Sequence, residues 1–311
     1  MKDTQTKIKL TIGIPAYNEG KNLPFFLDSI LKQKQSQYEI VEIIIVSDGS
    51  TDNTDDIINT YNIMLPKIRH IKLEKRKGKA NALNIIYDLS ESDLLLTFDA
   101  DVVLKTNSEI ELLIAEIIKD KNCLLVGGRF IPVEQKSFMG KFSIVSFLSF
   151  EDAIFRLNNT VNIYALVGAT SLIRKKLYKS FRYPFGTISD QNYLYMINKL
   201  VIKGNFRLAK KTQILIRTVS TFQDWSILAT RSIREDKENV FQYFGDDARK
   251  EYYMPKNIYF TSLAKYLFKF PFYTFGAIIM NIIIRLLPYG KQMPKAGLWS
   301  ITLSSKKAII N

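Results

Sequence analysis

The sequence predicts an α/β fold, with a mostly parallel sheet carrying helices on both faces and a helical C-terminal region after it. Short apolar, β-branched runs alternate four times with helically spaced segments over about the first hundred residues, the pattern of βαβ units and a parallel sheet. The polar residues fit for chemistry gather where those strands end, which is where α/β sheets bind ligands. From Tyr252 to Asn311 the composition shifts to eight Lys or Arg and no Asp or Glu, and Phe270–Ile284 has no charged residue.

Composition sets outer limits. A chain of 311 residues buries a substantial core as one large domain or two. With 47% hydrophobic and 24% charged residues it is an ordinary globular protein rather than a disordered one. The net charge of +14 and pI near 9.5 favour an anionic partner: a nucleotide diphosphate, anionic lipid or nucleic acid. The one cysteine, Cys123, excludes an internal disulfide and reads as buried filler. The one histidine, His70, argues against a His-based metal or nucleophile site. Met1–Lys9 is polar and lacks the pattern of a secretory signal.

Lys9–Pro15 reads as the first strand, through Leu10, Ile12 and Ile14. Gly20–Gln33 is helically spaced, with Leu23, Phe26, Leu27, Ile30 and Leu31 on one side. In the junction Ala16-Tyr17-Asn18-Glu19, Tyr17 either stacks on a base or packs. Val41–Ser47 is the second strand. It runs into Asp48-Gly49-Ser50-Thr51-Asp52-Asn53-Thr54 and the helical Asp55–Tyr61. Gly49 permits a sharp turn and Thr51 or Asp52 can cap the helix; a capped turn leaves Asp48 unexplained. The third strand, Ile68–Leu73, leads to the basic run Lys75-Arg76-Lys77-Gly78-Lys79 and the helical Ala80–Leu89. Such a run is either a solvated charge cluster or a phosphate site at a helix N-terminus.

The fourth strand, Asp93–Asp101, is apolar through Leu94, Leu95, Leu96 and Phe98. It ends in two carboxylates, Asp99 and Asp101, which leave extended chain on the same side. Two acids that close repel unless a cation lies between them. A divalent ion bound by oxygen, with positions open for a diphosphate, would serve; solvated turn or cap aspartates are the alternative.

Four blocks occur in order: Ile14-Pro15-Ala16-Tyr17-Asn18-Glu19, Asp48-Gly49-Ser50-Thr51-Asp52, Lys77-Gly78-Lys79-Ala80-Asn81-Ala82-Leu83-Asn84 and Asp99-Ala100-Asp101. Together they resemble the family 2 glycosyltransferases, which have the GT-A fold. The resemblance implies that Pro15, Tyr17, Glu19, Asp48 and Lys79 lie around the nucleotide, with Asp48 near the base. It puts Asp99 near the ribose and sugar. It also puts Asp101 on a divalent metal, Mn2+ or Mg2+, that bridges the diphosphate.

The next section should bind the acceptor. Glu109–Ile118 is an amphipathic helix and Cys123–Phe130 a strand ending in Gly127-Gly128-Arg129. Ser137–Leu157, rich in Phe and Ile, either packs under the site or faces a greasy acceptor. Val167-Gly168-Ala169-Thr170 reads as a strand end permitting close ligand approach; by resemblance it lies beside the donor sugar. Asp190 precedes the helix Gln191–Lys203, for which Gly204 is the expected C-cap. Locally Asp190 reads as an N-cap; the resemblance makes it the general base, with Ser189 where the family usually has Glu. Two short strands, Phe206–Ala209 and Gln213–Thr218, precede Asp224-Trp225 and a helix to Phe244, on which Arg231 and Arg234 share a face. By resemblance this basic segment closes over the diphosphate. The chain lacks the Gln-x-x-Arg-Trp of processive synthases, which argues against long-chain polymerisation.

These expectations divide the chain into a GT-A catalytic domain, 1–222, and a helical, membrane-associating region, 223–311. Residues 1–104 form the nucleotide-binding half of the first and 105–222 its acceptor-binding half. Phe270–Ile284 is shorter than the about twenty residues a spanning helix needs, and Lys265, Lys269, Lys291 and Lys295 flank it on both sides. Peripheral or monotopic attachment through residues 258–311, at the cytoplasmic face of the cell membrane, is therefore expected; Gly297-Leu298-Trp299-Ser300 and Ser304-Ser305-Lys306 also resemble tails of membrane-associated family members. The expected activity is inverting, metal-dependent transfer from a nucleotide-diphosphate sugar (a UDP-sugar) to an acceptor hydroxyl on a lipid-linked or cell-surface glycan precursor. A nucleotidyltransferase would want a glycine-rich phosphate loop, which Ile14–Lys21 is not. A nucleic-acid binder would want a basic stripe with exposed aromatics, so nucleic acid is not an expected partner.

Overall fold

The computed structural model describes residues 7–65, 67–232, 236–286 and 302–309. Its strands are β1 (Ile8–Ala16), β2 (Tyr38–Asp48), β3 (Ile68–Leu73), β4 (Leu94–Phe98), β5 (Val103–Leu104), β6 (Cys123–Pro132), β7 (Thr170–Arg174) and β8 (Asn205–Ile216). Between them lie helices α1 (Leu23–Leu31), α2 (Thr54–Met64), α3 (Lys79–Leu89), α4 (Glu109–Ile118), α5 (Phe138–Arg156), α6 (Lys175–Tyr178) and α7 (Asp190–Met196). After β8 come α8 (Phe222–Thr230), α9 (Asp236–Glu251), α10 (Lys256–Lys269) and α11 (Pro271–Leu286). The strands form one sheet in the order β3-β2-β1-β4-β7-β6-β8-β5.

The period of two along each strand builds a core on each side of the sheet. Ile43 and Ile45 of β2, with Leu94, Leu96 and Phe98 of β4, join Phe26, Leu27 and Ile30 of α1 and Leu113, Ile114 and Ile117 of α4. Ile44, Val46 and Leu95 point the other way, onto Leu83, Ile86 and Tyr87 of α3 and Leu194 and Met196 of α7. Gly13 is required on this second side: a Cβ there would stand 2.5 Å from Cγ2 of Ile86, so α3 could not close onto β1.

Strands β3, β2, β1 and β4 are mutually parallel, which brings the ends of β1, β2 and β4 to one edge. Next to them β7 runs antiparallel to β4, with Phe98 opposite Thr170. Val167-Gly168-Ala169-Thr170 is therefore the entry to a strand rather than its end. Antiparallel pairing carries that entry to the C-terminal end of β4, where the Asp99 N–H donates to Ala169 O at 3.1 Å.

The two strands expected over 206–218 are one strand, β8, which stays continuous because the irregularity at Lys210-Lys211 is absorbed as a register shift against β6. Thr212 bridges it, its hydroxyl accepting from Arg129 N at 2.7 Å. The helix after Asp190 ends as a π turn, Ile197–Val201. The residue in the left-handed region beyond it is Lys203 (φ 57°), not Gly204. Helix α5 lies beneath α10 and α11: Ser262 and Lys265 both donate to Asp152, and Phe272 meets Phe138 and Phe142 at ring distances of 6.0 Å.

Candidate active site

The first strand end supplies a loop braced by its neighbour. Asn18 adopts φ 54° and its Oδ1 accepts from Thr51 N at 2.8 Å, while Glu19 N donates to Thr54 Oγ1 at 2.8 Å. Gly20 N donates to Asp52 Oδ2 at 3.1 Å. The sequence-predicted residues Tyr17 and Glu19 are thereby held against the turn that follows β2; Pro15, partly exposed, lies just before them in β1. The guanidinium of Arg76 covers the Tyr17 ring, 4.2 Å from its centroid.

Asp48 ends β2 with its carboxylate turned onto the basic loop, where it accepts from Lys77 N (2.7 Å) and Gly78 N (2.8 Å). The capped-turn account of this segment left Asp48 without a role; the geometry makes it the clamp that holds residues 77–78 at the N-terminus of α3. Gly49 makes the clamp possible. Its φ is +70°, and a Cβ there would meet Arg76 N at 2.6 Å.

Lys79, the first residue of α3, reaches to the centre. Its Nζ lies 2.7 Å from Asp99 Oδ1, 3.2 Å from Asp190 Oδ2 and 2.9 Å from Gly168 O. Burial works against its charge, but Asp190 and then Asp99 outweigh it and hold its pKa above the ordinary lysine value. Asp190 is not an N-cap: Ser189 occupies that position and Asp190 is the first residue of α7. Its carboxylate is left to face Lys79. Burial raises the Asp190 pKa, Lys79 opposes the rise and Asp99 adds to it.

Glu19 and Asp101 form the other half of the acidic cluster. Burial and then the Asp101 charge push the Glu19 carboxyl up to about 8, with Lys306 opposing. Burial and then Asp99 push Asp101 up as well. The Lys306 ammonium, from a segment read only as a tail, contacts the Glu19 carboxylate and donates to Tyr17 O at 3.0 Å. Nothing local in the sequence marked it: Lys306 and Glu19 are 287 residues apart. Arg231 follows α8 as its C-cap, and Arg234 lies outside the described residues.

Among the described residues no three acidic, histidine or cysteine side chains converge as a self-sufficient metal cage. Asp99 and Asp101 instead offer hard oxygen donors just beyond β4; burial and then the Asp99 charge raise Asp101, and a cation would offset the second of these. This donor set fits a Mg2+-like ion, which takes one or two carboxylates and fills its remaining positions with phosphate and water. Beside the N-terminus of α3 a cavity of about 140 Å³ is lined by Lys77, Asn81, Asn84, Tyr183 and Thr187, among others.

A family model described as Glycosyl transferase family 2 matches residues 11–182, more than half of the chain. Glycosyltransferase GlyG of Streptococcus pneumoniae is 30% identical over 126 residues, 40% of each chain. Poly-beta-1,6-N-acetyl-D-glucosamine synthase of Staphylococcus epidermidis is 28% identical over 171 residues, 55% of this chain and 40% of the synthase. The matches thus span about two fifths of the length of these relatives. Among solved structures, mannosyltransferase PcManGT of Pyrobaculum calidifontis, in complex with GDP-Man and Mn2+, is similar with a TM-score of 0.60 at 14% identity. The likeness covers 92% of this chain and 77% of that one, and it shows a shared GT-A fold.

Proposed function

The chain belongs to the family 2 glycosyltransferases, and on that premise we propose that it moves a sugar, with inversion, from a nucleotide-diphosphate donor to an acceptor hydroxyl on a lipid-linked or cell-surface glycan precursor. A UDP-sugar is the proposed donor. The observation that carries this is the line Asp99–Lys79–Asp190, at 2.7 and 3.2 Å. It ties the acid just beyond strand β4 to a buried carboxylate at the start of helix α7.

In this mechanism the acceptor oxygen attacks the anomeric carbon, the bond from that carbon to the diphosphate oxygen breaks, and Asp190 takes the hydroxyl proton. Lys79 keeps Asp190 ionised and orients it. Asp101, with Asp99 beside it, would hold the divalent cation, Mn2+ or Mg2+, whose chemistry there is neutralisation of charge on the leaving diphosphate. The clamp from Asp48 fixes the backbone around Gly78, so the N-terminus of α3 faces the donor phosphates. The cavity beside Thr187, three residues before Asp190, is the proposed acceptor entrance. Residues 258–311 are proposed to attach the enzyme to the cytoplasmic face of a membrane; among the described residues no helix is long and apolar enough to cross one.

The test is a turnover screen across nucleotide sugars, with and without divalent cation, on wild type and Asp190→Asn. Transfer should fall by ~10²-fold or more in the variant while donor binding, measured calorimetrically, is retained. Normal transfer by Asp190→Asn would move the base elsewhere.

A further inference from the structure

The segment 302–309 is a strap beside the loop that carries Tyr17 and Glu19, and it is fastened by residues from two other parts of the chain, the stretch 217–224 and Asn22. Both oxygens of the Asp224 carboxylate accept from its backbone, Leu303 N at 3.1 Å and Ser304 N at 2.7 Å. Ser220 N donates to Ser304 Oγ at 3.0 Å. Arg217 donates to Ala308 O, and Asn22 Nδ2 donates to Lys306 O at 3.1 Å. Ser304 and Ile309 are buried. None of these fastenings uses the Lys306 ammonium, which extends past them into the acidic cluster.

The geometry points to Lys306 as a donor-binding residue: the strap delivers its ammonium to the diphosphate of the nucleotide sugar. This rests on the proposed nucleotide-sugar site. Two features of the site carry it. A lysine has three N–H donors, and those of Lys79 meet three partners, Asp99, Asp190 and Gly168 O. Lys79 cannot serve a phosphate without releasing one of them. Lys306 has two partners among the described residues, Tyr17 O and Glu19, both in a block expected around the nucleotide, and its side chain keeps 24% of its exposure.

The second feature is charge. Before the divalent cation binds, the acids Glu19, Asp99, Asp101 and Asp190 outnumber the ammoniums of Lys79 and Lys306, which opposes entry of a diphosphate. A donor that can turn from Glu19 to the phosphate oxygens reduces that repulsion without moving the strap. The acid that Lys306 contacts, Glu19, belongs to the cluster with Asp101, and the strap is fastened without that contact.

The experiment is calorimetric titration of full-length protein with UDP and with GDP, each in Mn2+ and in EDTA. Lys306→Met should weaken binding of the preferred nucleotide by about ten-fold or more, the scale of a lost charge-assisted hydrogen bond. The melting temperature should stay at that of wild type. Asp224→Ala, which loosens the strap but leaves the lysine, should weaken binding in the same direction. Binding by Lys306→Met as tight as wild type would overturn the assignment. Tighter binding would overturn it too, and would make the lysine an occupant that the donor and its cation displace. Wild-type protein that binds neither nucleotide would remove the proposed function as well, whereas wild-type binding with an unaffected Lys306→Met variant removes only the role of Lys306.

Discussion

At the scale of single residues, Asp190 has burial and Asp99 on one side and Lys79 on the other. Burial and Asp99 raise its pKa, and Lys79 lowers it without cancelling them. A base must be ionised to accept a proton, so activity should rise with pH along a limb lying above the ordinary aspartate value of about 3.9. Replacing Lys79 with Met removes the opposing cation. The limb in kcat/KM should then move to higher pH, in addition to any uniform loss from weaker donor binding. A limb that stays in place would assign the titration to another group.

At the scale of elements, Asp152 joins α5 to α10. It accepts from Arg156 on its own helix and from Ser262 and Lys265 on the other. Burial works against its charge, but the hydrogen bonds from Lys265, Ser262 and Arg156 outweigh it and bring its pKa to about 2. A lowered carboxylate pKa stabilises the fold above the ordinary aspartate range, and that contribution is lost as pH falls toward 2. Asp152→Ala should therefore lower stability in urea by about 1–3 kcal/mol at neutral pH, with the difference shrinking as the pH approaches 2. The strands and helices through β4 were legible because each obeys its own period within a short window. The merging of two strands into β8 was not, because the polar Lys210-Lys211-Thr212 parts two apolar runs, and β6 pairs with β8 on both sides of that break. The two-residue β5 exists through its pairing with Leu215 and Ile214, which no local pattern announces.

At the scale of the whole molecule, α11 is apolar on two sides. Thr274, Ala277, Met280 and Ile284 are buried, while Phe272, Phe275, Ile279, Ile282, Ile283 and Leu286 are exposed. Phe268 of α10 is 90% exposed as well, and the chain carries a net charge of +14. Exposed apolar residues with basic neighbours suit the surface of an anionic bilayer. Joint replacement of Phe268, Phe272 and Phe275 by Ser should weaken co-sedimentation with phosphatidylglycerol-containing vesicles by about ten-fold or more, since a fully buried Phe contributes ~1.5–3 kcal/mol. Wild-type protein that stays unbound at low salt would exclude the attachment. Of the candidate site, the acids at the strand ends and the basic loop could be read from four short blocks, because each block is local. Lys306 could not, because its place is set by Asp224, Ser220, Arg217 and Asn22, each distant from it in sequence.

That distance has a consequence for how the protein is made. Glu19 leaves the ribosome 287 residues before Lys306. At ~5–20 residues per second this is an interval on the order of 15–60 s. The sheet and its acidic strand ends can assemble early in that time, since the first four strands pair within about a hundred residues. Until the strap arrives, Glu19 and Asp101 stand together without the ammonium that compensates them. If Lys306 binds the donor as proposed, a nascent chain would be structured yet poor at capturing nucleotide until residues 302–309 fold back onto Tyr17 and Glu19.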